Sequence, residues 1–167
     1  MPKIQPAFAS MVIERARSRV GMRTVYDLGK GGFDPKAPTP GSHCDCSGFV
    51  SWCISMSRNQ GDKKKPWSKL FRWIETTAVF NDAANKQLVF VKLASPEPGC
   101  LVVYGDSNGH QGHIGVVTAV RSIRDFDVVD CSFGSYRREG DAILERNGSF
   151  FRGKGGIFVT LKEKLAA

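Results

Sequence analysis

The chain changes character near Leu88, and this change constrains the fold more than any other feature of the sequence. Before it, apolar residues recur at helical spacing, which predicts helices over residues 6–20, 46–57 and 67–80. After it, short apolar segments predict strands over residues 88–93, 100–104, 113–120, 127–131 and 156–161. Helices followed by a run of strands indicate an α+β domain, with an antiparallel meander packed against the second helix.

Size and charge narrow the class of protein without selecting a partner. A chain of 167 residues suits one domain with its own core. The net charge of +8 would attract nucleic acid, anionic membranes or anionic cell-wall polymers. The basic residues are spread along the chain and cluster only at 63–65 and 137–138, without a nucleic-acid-binding signature. We therefore expect no nucleic-acid partner.

The sequence contains no segment typical of a membrane span or a cleaved signal. No apolar run approaches the roughly 18 residues that cross a bilayer. Residues 1–6 lack the basic and apolar regions of a secretory signal peptide. We expect a chain that is synthesised in the cytoplasm, has no integral membrane segment and reaches any external site of action by another route.

The five cysteines do not form a recognisable disulfide or metal pattern. Their number is odd and their spacing irregular, at positions 44, 46, 53, 100 and 131. A zinc site built on His43, Cys44 and Cys46 would lack a second ligand cluster at a usual spacing. We therefore predict no bound metal and no cofactor.

The most informative motif is a cysteine placed where an apolar helix begins, within Cys44-Asp45-Cys46-Ser47-Gly48-Phe49-Val50. It follows a loop rich in glycine and proline over residues 29–43. The unpaired N–H groups and partial positive charge of a helix N-terminus favour a thiolate, so such a cysteine is a candidate nucleophile. Cys44 is the rival, but it precedes the apolar run by two residues, and we favour Cys46.

A thiol nucleophile needs a base within hydrogen-bond reach. His113 begins a predicted strand between two glycines and is well placed to face a cleft, whereas His110 lies in the preceding turn. His43, three residues before Cys46, is either a local hydrogen-bond partner or a residue that lines the same cleft. Asp130, late in the following strand, would lie near His113 and could fix its tautomer. The alternative for Asp130 is a strand-end residue that caps a turn.

Several of these motifs together resemble the NlpC-type cell-wall cysteine peptidases. The resemblance rests on Asp45-Cys46-Ser47-Gly48-Phe49-Val50, on Gly112-His113-Ile114-Gly115-Val116-Val117, on Tyr26-Asp27-Leu28-Gly29 and on Pro98-Gly99-Cys100-Leu101-Val102. It covers roughly residues 10–160, so we predict a single domain over 1–167. In two places the chain departs from the family pattern. The third catalytic position is often His and is Asp130 here, and Cys100 replaces the usual Asp of its turn.

The resemblance implies a papain-like fold, with N-terminal helices packed on an antiparallel β-sheet, and a catalytic set of Cys46, His113 and Asp130. Cys46 would attack an amide carbonyl, and His113 would take and return the proton. The backbone N–H of Cys46 is the natural oxyanion donor, and one such donor can be worth ~3 kcal/mol. The candidates for further oxyanion or substrate contacts are Tyr26, His43 and Ser47.

The substrate class that the resemblance implies is peptidoglycan, cleaved in its stem or cross-bridge peptides by a monomeric enzyme. The absence of a recognisable signal fits a phage lysin, a tail-associated hydrolase or an injected antibacterial effector. Two alternatives stay open. One is a papain-like thiol acyltransferase or amidase acting on a lipid or small amide, which an apolar patch around the cleft would favour. The other is a non-catalytic binding module.

Overall fold

The computed structural model describes residues 3–32, 38–58 and 74–166. The helices in chain order are α1 (Pro6–Arg17), α2 (Cys46–Cys53), α3 (Thr76–Asn81), α4 (Phe133–Glu139) and α5 (Ser149–Gly153). The strands are β1 (Val25–Tyr26), β2 (His43–Cys44), β3 (Phe90–Leu93), β4 (Leu101–Tyr104), β5 (His113–Val120), β6 (Phe126–Cys131), β7 (Ile143–Asn147) and β8 (Ile157–Leu161). A π-helical turn, Asp82–Lys86, extends α3, and a 3₁₀ turn, Lys162–Lys164, follows β8.

Six of the strands form one antiparallel sheet in the spatial order β3-β8-β4-β5-β6-β7. The strands β4 to β7 are consecutive along the chain and make the predicted meander, while β8 returns to lie between β3 and β4. A separate pair, β1 and β2, is parallel. The structure confirms the predicted α+β class and the papain-like arrangement of N-terminal helices on an antiparallel sheet.

The first two helices pack against the sheet for the reasons the sequence suggested. In α1 the buried face carries Phe8, Val12 and Ala16 at helical spacing. In α2 all eight residues are buried, because the helix contacts both α1 and the central strands β5 and β6. The predicted extension of α2 to residue 57 is wrong. The helix ends at Cys53, and Ser55 has a left-handed backbone with φ of 59°.

The chain after Leu88 is more structured than the sequence pattern predicted. The five predicted strands are present with shifts of one or two residues at their ends. The prediction missed β7 and the short helices α4 and α5. The predicted helix over 67–80 falls partly on residues outside the described ranges, and its described part is α3, capped by the Glu75 carboxylate. Among the described residues, no helix has the length and apolar character needed to cross a membrane.

Candidate active site

Cys46 is the first residue of α2, at the point where the chain leaves the short strand β2. Asp45 precedes it with an extended backbone, and its Oδ1 accepts the backbone N–H of Gly48 at 2.8 Å, which caps the helix. The Cys46 side chain is almost buried, with 6% of its surface exposed. Its thiol is near enough to the imidazole of His113, which comes from the sheet, to raise the pKa of that ring.

A buried ion pair holds the start of α2 in place. Asp45 Oδ2 accepts from Arg58 Nη2 at 2.7 Å and from the backbone N–H of Gly29 at 2.7 Å. The same Nη2 donates to the Ser47 hydroxyl at 2.9 Å, and Nη1 donates to the backbone carbonyl of Lys30. The loop before the helix and the segment after it are therefore tied to the residue next to Cys46.

The sheet supplies the partner of the thiol. His113 opens β5, and its Nε2 is hydrogen-bonded to Asp130 Oδ2 on β6. Since Nε2 is engaged in this way, Nδ1 is the nitrogen left for Cys46. Asp130 directs its carboxylate to His113 and to Arg146, and the α4 helix beyond it is capped by Ser132 instead. The structure therefore gives Asp130 no turn-capping role.

The electrostatics of this cluster favour an imidazolium. Burial by itself lowers the pKa of His113, but the hydrogen bonds and charges of Asp130 and Cys46 outweigh it and raise the pKa to about 10. Burial raises the pKa of Asp130, yet His113 and Arg146 together bring the pKa below its ordinary value. At neutral pH the geometry therefore supports an ionised carboxylate beside a protonated ring.

Arg146 is a neighbour of the site that sequence reasoning missed. It lies on β7, a strand that the sequence pattern did not predict, and its Nε donates to Asp130 Oδ1 at 3.0 Å. Its guanidinium carbon is 4.4 Å from the ring centre of Phe150. The adjacent Phe151 stacks on His113 with ring centres 5.4 Å apart and an angle of 14°. The sequence feature that could have indicated this neighbour is the Arg-x-x-x-Phe-Phe segment from Arg146 to Phe151.

The thiol opens into a cleft with mainly polar walls. Besides Cys46, Asp45, Ser47 and Arg58, its lining includes Tyr26, Leu28, Glu75, Thr76, Asp106, Gln111 and Gly112. Asp106 is held by the backbone N–H of Gly112 at 2.6 Å, so the wall beside His113 is fixed. Burial raises the pKa of Tyr26, and the nearby Cys46 raises it further, so its hydroxyl stays protonated. The apolar Leu28 is 60% exposed at the rim.

Two of the remaining candidate residues have their side chains engaged elsewhere. The His43 imidazole lies 3.0 Å from Asp27 Oδ2, is 56% exposed, and is not among the described residues that line the cleft. Of the two roles expected for His43, its contact with Asp27 matches that of a local hydrogen-bond partner. Ser47 does line the cleft, but its hydroxyl binds Arg58 and Asp45. The Ser47 hydroxyl is therefore part of the network that holds Arg58.

The other cysteines are packed in the core. Cys44, the rival nucleophile, is 1% exposed and donates its thiol to the backbone carbonyl of Asp45 at 3.3 Å. Cys53 and Cys131 are fully buried, and burial raises the pKa of each well above the ordinary value. Burial raises the pKa of Cys100 to about 12. Within the described ranges, no three His, Cys, Asp or Glu side chains are grouped to hold a metal ion.

The fold and the site together define a cysteine peptidase or amidase. Residues 37–131, more than half of the chain, match the family model of the CHAP domain, a cysteine/histidine-dependent amidohydrolase/peptidase domain. The protein belongs to this family, in agreement with the predicted relationship to cysteine peptidases. The matched residues include Cys46, His113 and Asp130, whereas β7 and Arg146 lie beyond them.

The chain is also similar to a solved structure, NlpC1 from Trichomonas vaginalis. The similarity covers 99% of this chain with 16% sequence identity and a TM-score of 0.49. The chain spans about half of that protein's length, 48%. No curated protein sequence matches the chain.

Proposed function

We propose that the protein hydrolyses amide bonds in the stem or cross-bridge peptides of peptidoglycan, with Cys46, His113 and Asp130 as its catalytic residues. The observation that carries the proposal is the hydrogen bond from His113 to the buried Asp130, with the Cys46 thiol close enough to the same ring to raise its pKa. The thiol lies in a polar cleft at a helix N-terminus, where a thiolate is stabilised. The reaction class follows from the family.

The reaction begins with the thiolate of Cys46 and the imidazolium of His113. The thiolate attacks the amide carbonyl, and His113 gives its proton to the leaving amine, which forms a thioester on Cys46. His113 is then neutral and takes a proton from water, which attacks the thioester. The hydrolysis releases the acid product and restores the thiol proton to the Cys46–His113 pair.

Two donors are available for the oxyanion that forms during each attack. Among the described residues, the backbone N–H of Cys46 donates to no other group, and it points from the first turn of α2. The Tyr26 hydroxyl stays protonated in the same cleft and is the second donor we favour. Each donor contributes about 3 kcal/mol to stabilisation of the transition state.

Charge and polarity favour a peptide substrate over a lipid. The cleft carries the carboxylates of Glu75 and Asp106 together with Thr76 and Gln111, which suit the amides and amino groups of a peptide. The net charge of +8 would draw the protein to an anionic cell wall. Among the described residues that line the cleft, Leu28 is the apolar residue at the rim. A thiol acyltransferase or amidase for lipids would need a broader apolar surface there.

The biological setting is a separate part of the proposal. The protein would be a phage lysin, a tail-associated hydrolase or an antibacterial effector injected by another cell. Each would act as a bacteriolytic monomer on the cell wall after release or delivery.

The direct test is digestion of purified peptidoglycan sacculi, with mass spectrometry of the released peptides. We expect new amine ends from the wild type and none from Cys46→Ser. A matched control is Cys44→Ser, which should retain activity because this thiol lies outside the cleft. Equal release by wild type and Cys46→Ser would contradict the assignment of the nucleophile. Activity on acyl lipids but not on sacculi would favour the alternative substrate class.

A further inference from the structure

Arg146 places a permanent positive charge on the far side of Asp130 from His113. Its Nε donates to Oδ1 at 3.0 Å, and its Nη2 donates to Oδ2, the oxygen that also contacts His113. Asp130 is fully buried, whereas the Arg146 side chain is 30% exposed. A buried carboxylate with two cationic neighbours is shared between them, so each neighbour influences the other's proton affinity.

The strand register explains why three side chains from three strands meet. Asp130 on β6 is paired with Gly115 on β5 and with Leu144 on β7. His113 and Arg146 are each two residues along from those partners, so all three side chains lie on one face of the sheet. A side chain at Gly115 would crowd Asp130, since its Cβ would come within 3.1 Å of the Asp130 Cβ.

Two aromatic residues of helix α5 pack against the two side chains that flank Asp130. Phe150 packs under the Arg146 guanidinium, and Phe151 stacks on the His113 ring. The two phenyl rings contact each other, with centres 4.4 Å apart. The position of Arg146 relative to His113 is therefore set by a rigid aromatic pair as well as by the carboxylate between them.

We propose that Arg146 is a positioning residue that keeps the His113–Asp130 pair in its base form, with a neutral ring and an ionised carboxylate, in the acyl-enzyme at neutral pH. This inference rests on the proposed function. It deepens that function by assigning the second half of the reaction a residue of its own.

Acylation of Cys46 changes the charges that set the protonation state of His113. In the free enzyme the Cys46 thiolate and Asp130 both favour a protonated His113, which suits the first step. In the acyl-enzyme the thiolate is gone, and His113 must be neutral to take a proton from water. The Asp130 carboxylate alone would still favour the protonated ring. Arg146 weakens this effect, because its positive charge neutralises much of the charge of that carboxylate.

The charged side chains of the cleft, which are Asp45, Arg58, Glu75 and Asp106, lie around Cys46. The titratable groups that neighbour the His113–Asp130 pair outside the cleft are uncharged at neutral pH. Tyr104 on β4 lies 6.3 Å from the His113 ring, and burial raises its pKa. Cys131, next to Asp130, has its pKa raised well above the ordinary value by burial. The aromatic residues of α5 carry no charge. Among the described residues facing the acylated pair, Arg146 is thus the charged group that sets its proton affinity.

The first experiment measures the protonation of His113 in the absence of any reaction. In a Cys46→Ala background, which mimics loss of the thiolate, the His113 ring is titrated by ¹⁵N NMR. Removing a nearby positive charge favours protonation, so Arg146→Met should move the midpoint of the titration to higher pH. Arg146→Lys keeps a charge and should leave the midpoint nearer the parent. Arg17→Met is the matched control, because Arg17 makes a similar bidentate contact with Glu145 on the same strand.

The second experiment separates the two half-reactions with p-nitrophenyl acetate as an activated acyl donor. The burst of p-nitrophenolate reports acylation of Cys46, and the steady state reports deacylation. Arg146→Met should slow the steady state by about 10- to 100-fold near pH 6, with the difference shrinking as pH rises. The burst should change much less, because acylation uses the protonated ring.

An unchanged midpoint in Arg146→Met would overturn the inference, as would a loss of steady-state rate that is equal at every pH. A purely structural role predicts that uniform loss. The titration needs no turnover, so it tests the effect of Arg146 on His113 even if sacculi release no peptides. The proposed function and this inference can therefore fail separately. If the Met variant does not fold, Arg146→Gln, which also removes the charge, takes its place in both experiments. The results expected from it, and the results that would overturn the inference, are the same.

Discussion

Two buried aspartate–arginine pairs flank the thiol, and they differ in how accessible the arginine is. In the Asp45–Arg58 pair the side chains are 1% and 3% exposed. In the Asp130–Arg146 pair the carboxylate is fully buried, but the arginine is 30% exposed. The first carboxylate serves two backbone N–H groups, whereas the second serves a histidine ring. One pair fixes the nucleophile's helix, and the other controls the base.

Because the two arginines differ in exposure, removing the aspartate from each pair should have different consequences. A buried guanidinium that loses its carboxylate cannot turn towards water, and breaking such a buried pair is strongly destabilising. A partly exposed guanidinium can turn towards solvent. We therefore expect the Asp45 pair to govern the stability of the fold and the Asp130 pair to govern the rate of reaction.

The largest effect on stability should come from Asp45→Ala. The change removes the helix cap and leaves the Arg58 charge buried, so we expect a loss of about 3–5 kcal/mol in the free energy of unfolding. Urea denaturation measures it. Asp27→Ala is the matched control, since that carboxylate pairs with the exposed His43 and should contribute no more than about 1 kcal/mol. Equal losses in the two variants would break the comparison.

Asp130→Ala should have the opposite profile. We expect a smaller loss of stability, about 1–3 kcal/mol, because Arg146 can reach solvent. The fall in kcat/KM should be about 100-fold or more, because His113 loses the group that orients it. Peptide release from sacculi and urea denaturation of the same preparation give the two values. Greater destabilisation than in Asp45→Ala, with activity retained, would reverse the roles we assign to the pairs.

The smallest effect should come from Ser47→Ala. Its hydroxyl binds Arg58 and Asp45, so its loss should cost about 1 kcal/mol of stability. The substitution leaves the backbone unchanged, and kcat/KM should stay close to the wild-type value. A large rise in KM would show instead that the hydroxyl contacts substrate, and it would separate Ser47 from the structural pair.

The sequence was sufficient to predict the residues whose role depends on local position. Cys46 begins an apolar helix and His113 begins an alternating strand, so both could be found from short patterns. Asp130 followed from the expectation that consecutive strands pair. His43 was left with two possible roles because β2 has only two residues, too few to show which side faces inward.

Arg146 could not be found in this way. Its strand carries Glu145, Arg146 and Asn147 in a row, which hides the alternation that marks a half-buried strand. Its contact with Asp130 also depends on the register between β6 and β7, which no local pattern specifies. Arg58 was missed for a related reason, since a basic residue in a polar segment gives no sign that it will be buried.

The central claim is that Cys46, paired with His113, is the activated thiol of this protein. Brief treatment with iodoacetamide at pH 6, followed by peptide mass spectrometry, tests it most directly. The His113 pKa of about 10 keeps the ring protonated at pH 6, which supports a thiolate on its partner. We predict alkylation of Cys46 well ahead of the other four cysteines, and its loss of selectivity in His113→Ala. Slow and uniform labelling of all five, or preferential labelling of Cys44, would contradict the account.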